Sequence, residues 1–332
     1  MFPLLRLTRL ARDEVLKILT PIELFNLSLC SKNAHQIVKY FVRIIKKYCS
    51  ITIDFSDELS VDVNRKKQVV HGEWSFSVFP DQKLDDFVDH KYSGKIKDVK
   101  FISVTFKNRV ETFWKDDVEG FKILVDYLMD LYNQKAEGFL FKTREFSESM
   151  DILNWVRRRH NFIEYGEVHL DSIKEKAELN RILENLNFIE KIKIYSLQTE
   201  DVDGLENIFD FKELHINSGR WVTVPFILKM RSENLTVSDT NLTSEDVNEI
   251  LKSWKSGEIL RNLKFLSLDL YKEEMGPILM DIELEAPVRT MEENHIVSST
   301  CQIRRSDGVL AGIKIVESRM FERLVVELEI GD

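Results

Sequence analysis

Hydrophobic positions along this chain change period more than once, and each change marks a different kind of structure. Over residues 12–45 they recur every three to four residues, in three short stretches. Arg12 to Leu19 sets Val15, Leu16 and Leu19 on one helical face. Thr20-Pro21-Ile22-Glu23 opens a second helix: Thr20 is a cap, Pro21 suits the first helical position, and Glu23 completes a capping box. That helix is expected to turn Leu24, Leu27 and Cys30 inward. Ser31 caps a third, with Ile37, Val38, Phe41 and Ile44 or Ile45 at helical spacing. The three helices are expected to form an apolar cluster of their own, separable near Ser50. A unit this small cannot bury all its apolar side chains, so part of that surface is expected to meet another protein.

From residue 51 the period becomes two. Ile51 to Phe55, Gln68 to Val70, Trp74 to Phe79 and Val99 to Phe106 read as strands. Strands then alternate with helices. Helices are expected at Gly120 to Tyr132, Glu148 to Arg159, Glu175 to Asn185, Asp203 to Phe209, Pro225 to Met230, and Ser244 to Ser256, the last stopped by Gly257. Strands are expected at Gly138 to Lys142 and around Leu170, Ile194, Ile216, Val237 and Leu268. Those last five centres lie 24, 22, 21 and 31 residues apart. Repeats of roughly 20–29 residues with one strand and one helix define the leucine-rich-repeat regime. The pattern here is degenerate, with right-handed crossovers expected between parallel strands. The chain ends in alternating strands at Met280 to Leu284, Ile296 to Ile303, Val309 to Val316 and Leu324 to Ile330, with Asp307-Gly308 a hairpin signal. The fold class is α+β: a small three-helix unit, then a leucine-rich-repeat-like βα array with flanking antiparallel strands.

Charge adds an asymmetry. Residues 1–50 hold nine basic and three acidic side chains, a net of +6, so the remainder carries −15 of the chain's −9 total. A basic head on an acidic body suits an acidic partner, and small helical domains also carry such a bias without a partner. Cys30, Cys49 and Cys301 are too few and scattered for a disulfide framework, and Cys30 reads as a small core residue. Arg6, Arg9 and Arg12 interrupt the apolar start, so it lacks a secretory core of about 7–15 apolar residues. No stretch approaches the roughly 20 apolar residues that span a bilayer. The location expected is cytoplasmic or nuclear, with no membrane partner.

Leu7, Val15, Leu16, Leu19, Pro21, Leu24, Leu27 and the Cys30-Ser31-Lys32 step together resemble the F-box motif. That pattern has Pro after its first Leu, whereas Thr8 follows Leu7 here. Further along, Phe211 to Ile216, Arg220 to Thr223, Asn234 to Val237, Asn241 to Thr243, Asp246 to Asn248, Leu251 to Trp254 and Leu263 to Leu268 resemble the F-box-associated domain, type 2, of the large nematode F-box family. The resemblance implies an F-box at 2–48 and a substrate-recognition domain at 49–332. The latter divides into a strand-rich segment at 51–106, βα repeats at 107–275 and a terminal sheet at 276–332. It also implies docking to the Skp adaptor, and through it to a cullin, by Leu7, Val15, Leu16, Leu19, Pro21, Leu24, Leu27 and Cys30. Leu16 and Leu19 are expected on the adaptor-facing side.

No catalytic constellation is present: no His-Glu-x-x-His pair, no phosphate-binding glycine loop and no Gly-x-Ser-x-Gly elbow. The expectation is a protein without enzymatic activity, cofactor or metal. His169 and His215 stand at equivalent places in two strands and read as outward members rather than a metal pair. Arg157 to Arg159 reads as a solvated helix C-terminus, and the acidic body argues against nucleic acid. Trp221 and Trp254 are either core or ligand-facing, with helical spacing from Val247, Ile250 and Leu251 favouring core for Trp254. Two functions follow: a substrate-recognition adaptor of a ubiquitin ligase, holding an unknown protein substrate, or a binding scaffold without ubiquitin transfer.

Overall fold

The computed structural model describes residues 4–45, 50–64, 74–86, 91–143, 146–170, 176–195, 211–271, 276–293, 296–318 and 323–331. Two compact units divide the chain, Met1–Phe141 and Lys142–Asp332.

The first unit opens with α1 (Arg9–Ile18), α2 (Pro21–Leu29) and α3 (Lys32–Ile45). The capping box closes as its residues require. Thr20 N donates to Glu23 Oε2 at 2.7 Å, and Glu23 N donates to Thr20 Oγ1 at 3.2 Å. Ser31 Oγ accepts from Ala34 N at 3.1 Å at the head of α3. Strands β1 (Ser50–Phe55), β2 (Leu59–Asn64), β3 (Trp74–Pro80), β4 (Lys91–Ile96), β5 (Val99–Thr105) and β6 (Arg109–Trp114) follow, then α4 (Asp117–Tyr132) and β7 (Ala136–Lys142). They lie in the order β7-β1-β2-β3-β6-β5-β4, with β1/β7 and β3/β6 parallel and the other neighbours antiparallel. Gly120 lets α4 lie directly on the Trp114 ring, where a Cβ would collide.

The helices do not keep an apolar cluster to themselves. Phe25 of α2 is fully buried, edge-on to Phe76 of β3 at 5.0 Å and to Tyr127 of α4 at 5.8 Å. The Tyr132 hydroxyl donates to the Pro21 carbonyl at 2.7 Å. Three short helices have too little interior of their own, so the strands and α4 supply the rest.

The second unit holds α5 (Phe146–Arg159), β8 (Ile163–His169), α6 (Lys176–Asn185), β9 (Ile189–Tyr195), β10 (Glu213–Ile216), α7 (Val224–Lys229), β11 (Asn234–Thr240), α8 (Ser244–Ser256), β12 (Phe265–Tyr271), β13 (Ala286–Glu293), β14 (Ile296–Arg304), β15 (Leu310–Ser318) and β16 (Arg323–Ile330). Strands β8 to β12 are parallel neighbours in sequence order. The sheet continues antiparallel through β16, β15, β14 and β13. Burial alternates along each strand: Val168, Ile192, Ile194, Leu214, Ile216, Leu235, Val237, Leu266 and Leu268 are buried. The alternate residues are half-exposed and form an open, polar face.

Three expectations need correction. Met280 to Leu284 is not a strand. A short 3-10 turn at Gly276–Leu279 precedes it, Asp281 takes the left-handed conformation at φ 59°, and the strand begins at Ala286. The Asn248 amide holds this turn by donating to the carbonyls of Ile278 and Met280, each at 2.8 Å. Cys30 is exposed rather than core, because α2 ends at Leu29 and leaves Cys30 at the C-cap. Strands β2, β4 and β6 have no counterpart in the sequence reading. The expected strand at Gln68 to Val70, the expected helix at Asp203 to Phe209 and Cys49 lie outside the described residues.

Candidate functional site

Among the residues singled out for adaptor contact, Leu16 is 1% exposed and Leu24 is 7% exposed, both inside the helical core, with Pro21 also buried. Leu7, Val15, Leu19 and Leu27 are half-exposed, and Cys30 is exposed. Leu16 therefore faces inward rather than outward. Helical periodicity identifies the apolar stripe but not what covers it, and α1 packs against α3 of the same chain. The exposed apolar positions instead include Leu10 at 82% and Ile18 at 79% on α1, and Tyr40 and Ile44 on α3. Sequence reasoning missed Leu10 because it began the helix at Arg12. Arg9 sits beside this surface, its guanidinium 5.0 Å from the Tyr40 ring centre and its Nη2 donating to the Tyr40 hydroxyl at 2.7 Å. Exposed apolar side chains rimmed by cations form a surface suited to an acidic, partly apolar partner.

Thr8 precedes α1 with φ −56° and ψ 154° and makes no side-chain cap bond. That is the backbone a proline would impose. The departure from the motif at this position changes the residue and leaves the path of the chain intact.

Behind the surface, polar contacts fix the helices. Tyr127 Oη lies 2.6 Å from Ser28 Oγ and 3.1 Å from His35 Nδ1. Burial pushes the Tyr127 hydroxyl up to about 12, outweighing the Ser28 hydrogen bond. Asp130 accepts from Lys39 and meets His35 Nε2 at 3.3 Å. Burial alone would raise the Asp130 carboxyl, and Lys39 with His35 holds it below its ordinary range.

In the second unit, Thr243 and Asp246 form a capping box on α8, and Gly257 closes the helix in the left-handed conformation at φ 74°. Trp254 is fully buried, a core residue. The Arg305 guanidinium lies 5.3 Å from the Trp254 ring centre and grips Asp307 through two bonds of 2.9 Å. Ser306 N donates to the Lys255 carbonyl at 2.9 Å, so the β14–β15 turn satisfies the end of α8. Trp221 is also buried, edge-on to Phe226 at 5.0 Å. His169 stacks on Tyr195 at 4.5 Å, and His215 lies on β10 with β9 between them. Burial and then the charge of Lys193 lower the His215 imidazole. No group of three metal-ligating side chains exists among the described residues, and none of their helices is long and apolar enough to cross a membrane.

Comparison with known proteins finds nematode relatives and two matching domain families. The chain is 24% identical over 296 residues to the Skn-1 dependent zygotic transcript 15 protein of Caenorhabditis elegans, covering 81% of each chain. It is 26% identical over 288 residues to an uncharacterized protein of the same organism, covering 80% of this chain and 62% of that one. No solved structure matches. Residues 4–46, the three helices with their approach, match the F-box domain, and residues 206–268, from before β10 to within β12, match the family described as F-box associated. The chain thus carries an F-box domain at its N-terminus and an F-box-associated domain, type 2, in its second unit.

Proposed function

We propose that the chain is the substrate-recognition subunit of a Skp–cullin–F-box ubiquitin ligase. The observation that carries this reading is the F-box whose first helix leaves Leu10 and Ile18 almost wholly in solvent. The half-exposed Leu7, Val15, Leu19 and Leu27 widen the contact, and Cys30 stands at its rim. Leu16, Pro21 and Leu24 shape the surface from inside. The adaptor held there links the chain to a cullin. Residues 2–48 serve as the F-box and 49–332 as the recognition domain for a protein substrate. Its parallel strands read as a degenerate leucine-rich-repeat-like array with right-handed crossovers, flanked by antiparallel strands. The chain itself performs no chemistry. It works in the cytoplasm or nucleus by holding a target lysine near a charged conjugating enzyme, which raises the lysine's effective concentration.

The test is co-purification of the tagged chain from cells. Recovery of both the Skp adaptor and the cullin is expected. Leu10→Ser combined with Ile18→Ser should weaken adaptor binding by about thirtyfold or more, the effect of losing a central anchor worth at least about 2 kcal/mol. Both side chains are on the surface, so the melting temperature should hardly move. Recovery of the adaptor without the cullin would favour a scaffold with no ubiquitin transfer. An unchanged complex with the double variant would sink the docking surface.

A further inference from the structure

The open face of the terminal strands carries a trench of about 1060 Å³. Strand register fixes its floor: Ala286, Gln302, Gly312, Glu329 and Phe265 stand side by side on β13, β14, β15, β16 and β12. The depression has a simple cause. A Cβ on Gly312 would meet nothing nearer than the Glu329 carbonyl at 4.0 Å, so the glycine leaves open space in a row of larger side chains. One wall is the next row, Arg289, Thr300, Lys314 and Glu327. The other is the turn with Gly308 and Val309, together with Leu310. One wall is charged and the other largely apolar.

Size and charge select the occupant. Five strands at their usual separation give a length of about 19 Å. That length suits about five or six residues of extended chain, at about 3.4 Å each, laid across the strands. Lys314 and Glu327 neutralise each other at 3.2 Å. Arg289 and Glu329 are exposed, and among the described residues neither is in an ion pair. They stand three strands apart, about 14 Å, which an extended chain covers in about four residues. We propose that this trench binds an extended peptide segment of the substrate, with an acidic residue against Arg289, a basic residue four positions away against Glu329, and apolar residues between them toward Val309 and Leu310. The proposal rests on the reading of the second unit as the substrate-recognition part and gives that part a location and a ligand chemistry.

Fluorescence anisotropy with the full chain tests it. The probes are four labelled peptides with neutral flanks, sharing a leucine-serine-leucine centre bounded by glutamate and lysine, by two glutamates, by two lysines, or by two serines. At low salt the glutamate–lysine peptide should bind at least about tenfold tighter than the others. Gly312→Leu should fill the floor and abolish binding. Arg289→Glu, a change on an exposed strand that leaves the core untouched, should switch the preference to the two-lysine peptide. Equal binding of all four peptides, binding by Gly312→Leu at the original strength, or an unchanged preference in Arg289→Glu would overturn the proposal, as would chain self-association in place of peptide binding. Cullin co-recovery, measured on the same preparations, reports on the ligase reading separately: an intact complex with no peptide selectivity removes the trench alone.

Discussion

The F-box helices and the βα strands of the second unit solve the same problem in opposite ways. Each is made of short pieces that cannot bury their apolar faces alone. The helices borrow from far along the chain: Ser28 meets Tyr127 across 99 residues, and Pro21 meets Tyr132 across 111. The parallel strands borrow from their sequence neighbours, as β10 does from β9 and β11. A motif that is recognisable locally need not be a local folding unit, and a region with weak local signals can be held together by nearby contacts.

The sharpest way to break this comparison is to remove one fully buried aromatic from each unit. Phe25→Ala and Trp254→Ala should each cost about 3–5 kcal/mol. Their reach should differ. In hydrogen exchange, Phe25→Ala should loosen β3 and α4 as well as α2, because Phe76 and Tyr127 lose their partner. Trp254→Ala should loosen α8 and the β14–β15 turn that Arg305 holds against it. Loosening confined to α1–α3 in the first variant would show that the helices stand alone after all.

Acidity separates the two units more gently. Asp54 on β1 is half-buried with one carboxylate oxygen unpartnered among the described residues, and burial raises its carboxyl to about 6. A raised acid stabilises the fold fully below its ordinary value near 3.8, and that contribution disappears as pH rises through about 6. Asp54→Asn should therefore stabilise the first unit at neutral pH, by roughly 1–3 kcal/mol. In the second unit, Glu233, Glu285 and Asp307 are held below their ordinary values, chiefly by Lys264, Arg304 and Arg305 respectively. Those contributions are present above the ordinary carboxylate values and fade as pH falls through the depressed ones. Thermal melts of the wild type and Asp54→Asn should differ most above about pH 6 and converge as pH falls toward 3.8. Parallel behaviour of the two would discard this contrast.

The smallest effect is expected at Thr8. Since its backbone already lies where proline would put it, Thr8→Pro should stabilise the chain by about 0.4–1 kcal/mol by restricting the unfolded state. Adaptor affinity should rise by less than about tenfold, and weaker binding would mean that the chain approaches its partner along another path.

Much of this was legible because some residues act within a few positions of themselves. Thr20 with Glu23, Gly257 after α8, and Asp307-Gly308 between β14 and β15 do in the structure what their types dictate. The alternation of β1 and the helical stripe that buries Trp254 were equally plain. The misreadings come from distance. The Met280 segment alternates like a strand, but Asn248, 32 residues earlier, captures the Met280 carbonyl. Leu16, expected to face a partner, is buried because α1 packs against α3 of the same chain, and periodicity alone does not say what an apolar face meets. Strand β2 is short and buried at five of its six positions, so it lacks the polar alternation that marks a strand. The trench owes its form to a cross-strand alignment of Ala286 with Gly312, and no local window contains both.

The hydrogen bond from Tyr132 to Pro21 also sets a schedule. On the ribosome, α2 emerges 111 residues before the tyrosine that receives it. At about 5–20 residues per second, that gap lasts about 5–20 s. Throughout that interval the newborn F-box helices expose Ile22, Leu24 and Phe25 to whatever is nearby. A partner present during synthesis would meet a softer and more apolar surface than the finished protein presents.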